Sequence, residues 1–175
     1  REKKKFGSLA MTAQPLKEEN WEESWKENYP PQPVGEKLLV LPYWLGDTCP
    51  EDKLPVVLDP GLTFGTGAHP STQMVMEAME ERVRPGDACL DLGSGSGILS
   101  ITALRLGAKS AIGVDIDPKA EDIARENAAY NDFGPDWFNA CTGNVSEDRE
   151  MMESLAGEGY DLVLVNIVAD VIISL

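Results

Sequence analysis

Cys89-Leu90-Asp91-Leu92-Gly93-Ser94-Gly95-Ser96-Gly97-Ile98-Leu99 is the stretch that decides the fold. A short apolar run enters a turn with three glycines at alternate positions, and an apolar helical pattern follows. This order reads as strand, tight turn and helix. Glycines in the turn supply positive φ angles and let a ligand meet the backbone closely. The free N–H groups at the start of the helix favour a polar or anionic ligand. The same turn would also serve as a plain strand-to-helix connection.

The next strand sharpens the reading. Gly113-Val114-Asp115-Ile116-Asp117-Pro118 ends in an acid about 20 residues beyond the glycine turn, where a carboxylate can accept both hydroxyls of a ribose. Asp117, directly before Pro118, is the better cap for the following helix, which leaves Asp115 for a ligand. Further out, the apolar pattern predicts strands at 88–92, 110–114, 136–141 and 160–165. Helices are expected at 70–82, 97–106, 118–130 and 147–155. In the first of these, Val75, Met79 and Arg82 or Val83 share a face. Glu121 and Arg125 form an i,i+4 pair in the third. Alternation of this kind makes a parallel sheet with helices on both faces, and its ligand crevice lies at the carboxyl ends of the strands. Residues 1–55 read as a linker and β-rich lead-in: a short helix at 21–28 capped by Asn20, a strand at 37–41 and a loop to 55. Residues 56–175, opening with a short strand at 56–58, form the ligand-binding domain.

Composition narrows the function. The chain has 175 residues, 30 acidic and 15 basic, for a net charge of −15. That balance opposes binding to nucleic acid, which rests on Lys and Arg neutralising phosphate, and opposes a polybasic membrane surface. It suits a basic partner. Three cysteines, Cys49, Cys89 and Cys141, show no ligand spacing and accompany a single histidine. No metal site and no disulfide framework are expected, and the cytoplasm is the expected location. No apolar run is long enough to span a membrane. The apolar finish Val171-Ile172-Ile173-Ser174-Leu175 reads as a cut end.

Four motifs occur in order: Phe64-Gly65-Thr66-Gly67-Ala68-His69-Pro70-Ser71-Thr72, the Asp91-to-Leu99 turn, Gly113 to Pro118, and Asn166-Ile167-Val168-Ala169. Where a dinucleotide site prefers G-x-G-x-x-G, the turn here is D-x-G-x-G-x-G, which resembles the first motif of class I S-adenosylmethionine-dependent methyltransferases. Together the four resemble the ribosomal protein L11 methyltransferase (PrmA) family over about residues 18–175. Trp21 to Lys26 and Pro42-Tyr43-Trp44 are similar to its lead-in. Ser71-Thr72 replaces its commoner Thr-Thr and keeps both hydroxyls.

The resemblance implies a Rossmann-like class I methyltransferase fold with strand order 3-2-1-4-5-7-6, truncated here after the fourth strand. It implies S-adenosylmethionine as cofactor, held by Thr72, Asp91, Gly93, Gly95, Gly97, Asp115 and Asn166. Gly93 meets the methionine portion, Asp115 the ribose hydroxyls, and Thr72 the amino-acid end. Asp91 either orients the methionine amine or braces the glycine turn. Asn166 and His69 are the candidate catalytic residues, with His69 alternatively shaping the flexible 64–69 loop. The implied substrate is the basic ribosomal protein L11, methylated on lysine ε-amines and its N-terminal α-amine by a monomeric enzyme. Another amine in RNA, DNA or a small molecule is the alternative, as is a non-catalytic relative. Ile167-Val168-Ala169 offers no ring to stack on a base, which agrees with the charge in opposing nucleic acid.

Overall fold

The structure is a computed structural model that describes residues 29–61 and 67–174. The helix expected at 21–28 lies outside them. Three strands come first: β1 (Gln32–Val34), β2 (Leu38–Pro42) and β3 (Leu54–Leu58), with a 3-10 turn at Tyr43–Thr48. Then follow α1 (Pro70–Arg82), β4 (Ala88–Leu92), α2 (Ile98–Arg105), β5 (Ser110–Asp115), α3 (Pro118–Ala129), β6 (Phe138–Thr142), α4 (Arg149–Glu158), β7 (Leu162–Val165) and α5 (Ala169–Ser174).

Most of these elements follow the apolar periods. The departures have local causes. β6 starts at Phe138 because the Trp137 and Phe138 N–H groups both donate to Gly134 O, holding a turn up to that point. α4 starts at Arg149 because Asp148 caps it, accepting from the Met151 N–H at 3.0 Å. β1 and α5 were not expected; β1 is a three-residue strand containing Pro33, tolerable only at a sheet edge.

The main sheet is parallel throughout, in the order β6-β5-β4-β7, which is the 3-2-1-4 order implied above. The chain steps from β4 to β5 to β6 in one direction, with α2 and α3 packed on one face. It then returns to pair β7 with the far side of β4. With right-handed crossovers that reversal carries α4 over the opposite face. α4 buries no residue fully. Among the described residues β7 pairs with β4 alone, and Val163 is 52% exposed.

The small sheet has the order β1-β2-β3, antiparallel then parallel. β3 runs across the 55/56 boundary read from the sequence. Its Val56 and Leu58 share one apolar core with Val40 of β2, Met76 and Met79 of α1, Ile101 and Leu104 of α2, and Cys89, Ala111 and Leu164 of the main sheet. α2 lies at the centre, buried at every position from Ile98 to Leu104, because α1, α3, β3 and β5 surround it. α1 turns Thr72, Met76, Met79 and Val83 inward, so Val75 is only half-buried and Arg82 is exposed. One side chain locks α1 to the small sheet. Glu80 Oε1 accepts the Lys37 and Leu38 N–H groups at 2.7 and 3.1 Å, and Oε2 accepts the Glu36 N–H at 2.9 Å.

Candidate functional site

The strand order reverses between β4 and β7, and ligands in open parallel sheets sit at the carboxyl ends beside such a point. The glycine turn occupies it. The Gly93 and Ser94 N–H groups both donate to Val114 O, at 2.7 and 3.1 Å, which fixes the turn against the end of β5. Gly93 has φ +77°, and a Cβ there would collide with the Ile167 side chain. Gly97 caps α2 at φ +78°, with α3 so close that a Cβ would lie 3.1 Å from that of Ala124. Gly97 thus serves helix packing and borders neither of the two cavities described below.

Asp115 ends β5 and faces the turn. Its Oδ2 accepts the Gly95 N–H at 2.8 Å and its Oδ1 the Asp117 N–H at 2.9 Å. Each oxygen keeps a lone pair for a further donor. Asp117 takes the cap of α3 by accepting from the Lys119 N–H at 3.0 Å.

Asp91 lies behind the turn, 1% exposed, and is not part of the cavity wall. Its Oδ2 accepts from Ser100 N–H and Oγ–H at 3.1 and 2.8 Å, and its Oδ1 has no partner. Burial pushes its carboxyl up to about 6; the Ser100 bonds oppose the rise and the charge of Asp115 adds to it.

The opposite wall joins β7 to α1. Asn166 Nδ2 donates to Thr72 Oγ1 at 3.0 Å. His69 is the N-cap of α1, its Nδ1 accepting from the Ser71 N–H at 3.2 Å and lying 2.8 Å from Ser71 Oγ. Accepting at Nδ1 places the proton of a neutral ring on Nε2. The cap therefore occupies the lone pair that a general base would use.

Two cavities meet here. One of about 260 Å³ is apolar and runs between Leu92, Val114, Ile116, Val145, Val168 and Val171. The other, about 600 Å³, is lined by His69, Ser71, Thr72, Ser94, Gly95 and Asn166. Gly93, Asp115, Ile167 and Val168 border both. The arrangement suits a ligand with a flat apolar ring, neighbouring hydroxyls at Asp115 and a polar tail. Of the candidate residues, the fold brings together His69, Thr72, Gly93, Gly95, Asp115 and Asn166; Asp91 and Gly97 stand behind them. Ile116, Asn144 and Val145 were not singled out as lining residues. Gly143-Asn144 after β6 marks a turn, and no spacing in the sequence ties that turn to the site. Among the described residues no group of three or more His, Cys, Asp or Glu side chains is placed to hold a metal.

Comparison with known proteins agrees with this geometry. A profile described as ribosomal protein L11 methyltransferase (PrmA) matches residues 1–175. A ribosomal protein L11 methyltransferase of Exiguobacterium sp. is 40% identical over 168 residues, covering 96% of this chain and 51% of the relative. The one from Symbiobacterium thermophilum is 41% identical over 160 residues, covering 91% and 49%. The chain thus spans about half the length of these relatives. The crystal structure of a ribosomal protein L11 methylase from Lactobacillus delbrueckii subsp. bulgaricus superposes with a TM-score of 0.65 at 33% identity, covering 82% of this chain and 69% of that one. The four ordered motifs, the 3-2-1-4 sheet and these matches together establish that the chain belongs to the ribosomal protein L11 methyltransferase (PrmA) family.

Proposed function

We propose that the protein is an S-adenosylmethionine-dependent methyltransferase acting on amines of a ribosomal protein, with L11, its lysine ε-amines and its N-terminal α-amine as substrate. The observation that carries the reading is the Asp115 carboxylate set between an apolar lobe and a polar lobe of one cleft. The residues present fit the cofactor. Asp115 has a free lone pair on each oxygen for the ribose hydroxyls. Ile116, Val145 and Val168 would flank the adenine. The Gly93 backbone, Thr72 and Asn166 would hold the methionine end, and the orphan Oδ1 of Asp91, buried behind the turn, would be an acceptor for its amine.

When bound, the cofactor supplies a sulfonium-activated methyl group, so the chain's task is mainly positioning. Asn166 uses its Nδ2 on Thr72, which leaves Oδ1 to accept an N–H of the incoming amine. A lysine amine starts near pKa 10.4 and must arrive neutral. Ile167 and Val168 at the cleft border desolvate it and lower that value. His69 acts through the cap of α1, and the proton leaves to water. The net charge of −15 favours a basic substrate, and the aliphatic Ile167-Val168 pair favours an aliphatic amine over a nucleobase. We place the reaction in the cytoplasm, in keeping with three cysteines left as free thiols.

The test is calorimetric titration of the full-length protein with S-adenosylhomocysteine, together with tritiated methyl transfer to L11 and to stripped ribosomal RNA. Binding that weakens at least tenfold in Asp115→Ala, and label on L11 alone, are expected. Unchanged affinity in the variant refutes the cleft assignment, and label on RNA refutes the substrate.

A further inference from the structure

We infer that Asn127 is a positioning residue for the cofactor cleft, setting the glycine turn against the backbone that leaves β3. Asn127 lies on α3 and is completely buried. Its Oδ1 accepts the Asp59 N–H at 2.8 Å, and its Nδ2 donates to Ser96 O at 2.9 Å. The two partners fix which end of the amide is which, since an N–H needs the oxygen and a carbonyl needs the NH2. Asp59 follows the end of β3 and makes its own turn by accepting the Gly61 N–H at 2.8 Å. Ser96 sits between Gly95, held by Asp115, and Gly97, the cap of α2. One side chain therefore bonds the glycine turn to the stretch that leaves β3, without lining the cleft itself.

The chemistry requires an amide. An aspartate in its place would turn a carboxylate oxygen on the Ser96 carbonyl. An apolar residue would leave a buried donor and a buried acceptor unpaired. Asn131, one turn later, provides an internal comparison. It is equally buried and as well bonded. Its Oδ1 accepts the Val57 N–H at 3.0 Å and Arg105 Nη2 at 3.2 Å, and its Nδ2 donates to Val57 O and Asn127 O, both at 2.7 Å. Those bonds tie α3 to β3 and α2 and do not reach the glycine turn.

The inference rests on the cofactor reading above, and its experiment separates the two. In the full-length protein, Asn127→Ser and Asn131→Ser are compared by melting temperature and by dissociation constant for S-adenosylhomocysteine. Both should melt earlier. Asn127→Ser should bind about five- to tenfold more weakly, with KM raised for the cofactor and unchanged for the protein substrate; Asn131→Ser should bind within twofold of wild type. Equal affinity in all three proteins, or an equal loss in both variants, overturns the inference while leaving the cofactor reading intact. Wild-type protein that binds no S-adenosylhomocysteine overturns both. Hydrogen exchange of the wild type needs no variant to fold: on saturation with S-adenosylhomocysteine the Asp59 amide should slow more than the Val57 amide, and equal slowing counts against Asn127.

Discussion

Glu80→Ala removes a carboxylate that receives three backbone N–H groups and so separates α1 from the turn between β1 and β2. The three bonds are not equivalent. Glu36 and Lys37 are exposed, and water replaces the lost acceptor there at about 0.5 kcal/mol each. Leu38 is 0% exposed, so its N–H is left without a partner at a cost of about 1–2 kcal/mol. The sum is about 2–3 kcal/mol. At roughly 2–4 °C per kcal/mol for a domain of this size, the melting temperature should fall by about 4–12 °C. Glu80→Gln can keep the Lys37 and Leu38 bonds on its oxygen and should lose about 1 kcal/mol. Differential scanning fluorimetry of the full-length protein measures both, with Glu77→Ala on the exposed face of the same helix as the reference. A Glu80→Ala protein that melts with the Glu77→Ala protein would refute the argument that this carboxylate fastens the small sheet.

Asp91 yields a pH test. Its carboxyl is raised to about 6 by burial, so its protonated form favours the fold below the unfolded value near 4, and that contribution is lost as pH rises through about 6. Relative to Asp91→Asn, the ligand-free wild type should lose stability as pH rises from about 4 to just above 6; a difference flat across that window would contradict the raised value. His69→Asn keeps an N-cap and should keep kcat and its pH profile, whereas His69→Ala should lose about 1 kcal/mol in urea unfolding; a large fall in kcat for the asparagine variant would restore His69 as a base. Residues 1–175 expressed alone should self-associate through the open edge of β7 and its exposed Val163, and a monodisperse monomer by light scattering would contradict this.

The main sheet was legible because its strands are short apolar runs bounded by turns, and because Pro70 and Asp117-Pro118 mark two helix starts. The Glu121–Arg125 pair is formed at 2.7 Å as its spacing suggested. Harder to read was anything created by one element meeting a distant one. Asn127 and Asn131 look like polar surface positions, one in a helix and one just past its end. Only the approach of β3, 68 to 74 residues away, makes them buried partners of its backbone. Similarly, Ile116 and Val145 become cavity walls when the loops after β5 and β6 converge beside β7. Asp115 was correctly separated from the cap at Asp117. Its two bonds to the Gly95 and Asp117 N–H groups depend on three-dimensional closeness that no spacing encodes.

Asn166 reaches Thr72 across 94 residues of sequence, and β7 can dock beside β4 only after β5 and β6 have been made. Closing so long a stretch costs chain entropy before its contacts form. The three strands on the other side can pair as each crossover is completed. A growing chain therefore makes the glycine turn, Asp115 and the α1 half of the opposing wall before the β7 half. The remaining wall, Asn166 to Val168, follows directly on the four-residue strand β7 and so closes the cleft last.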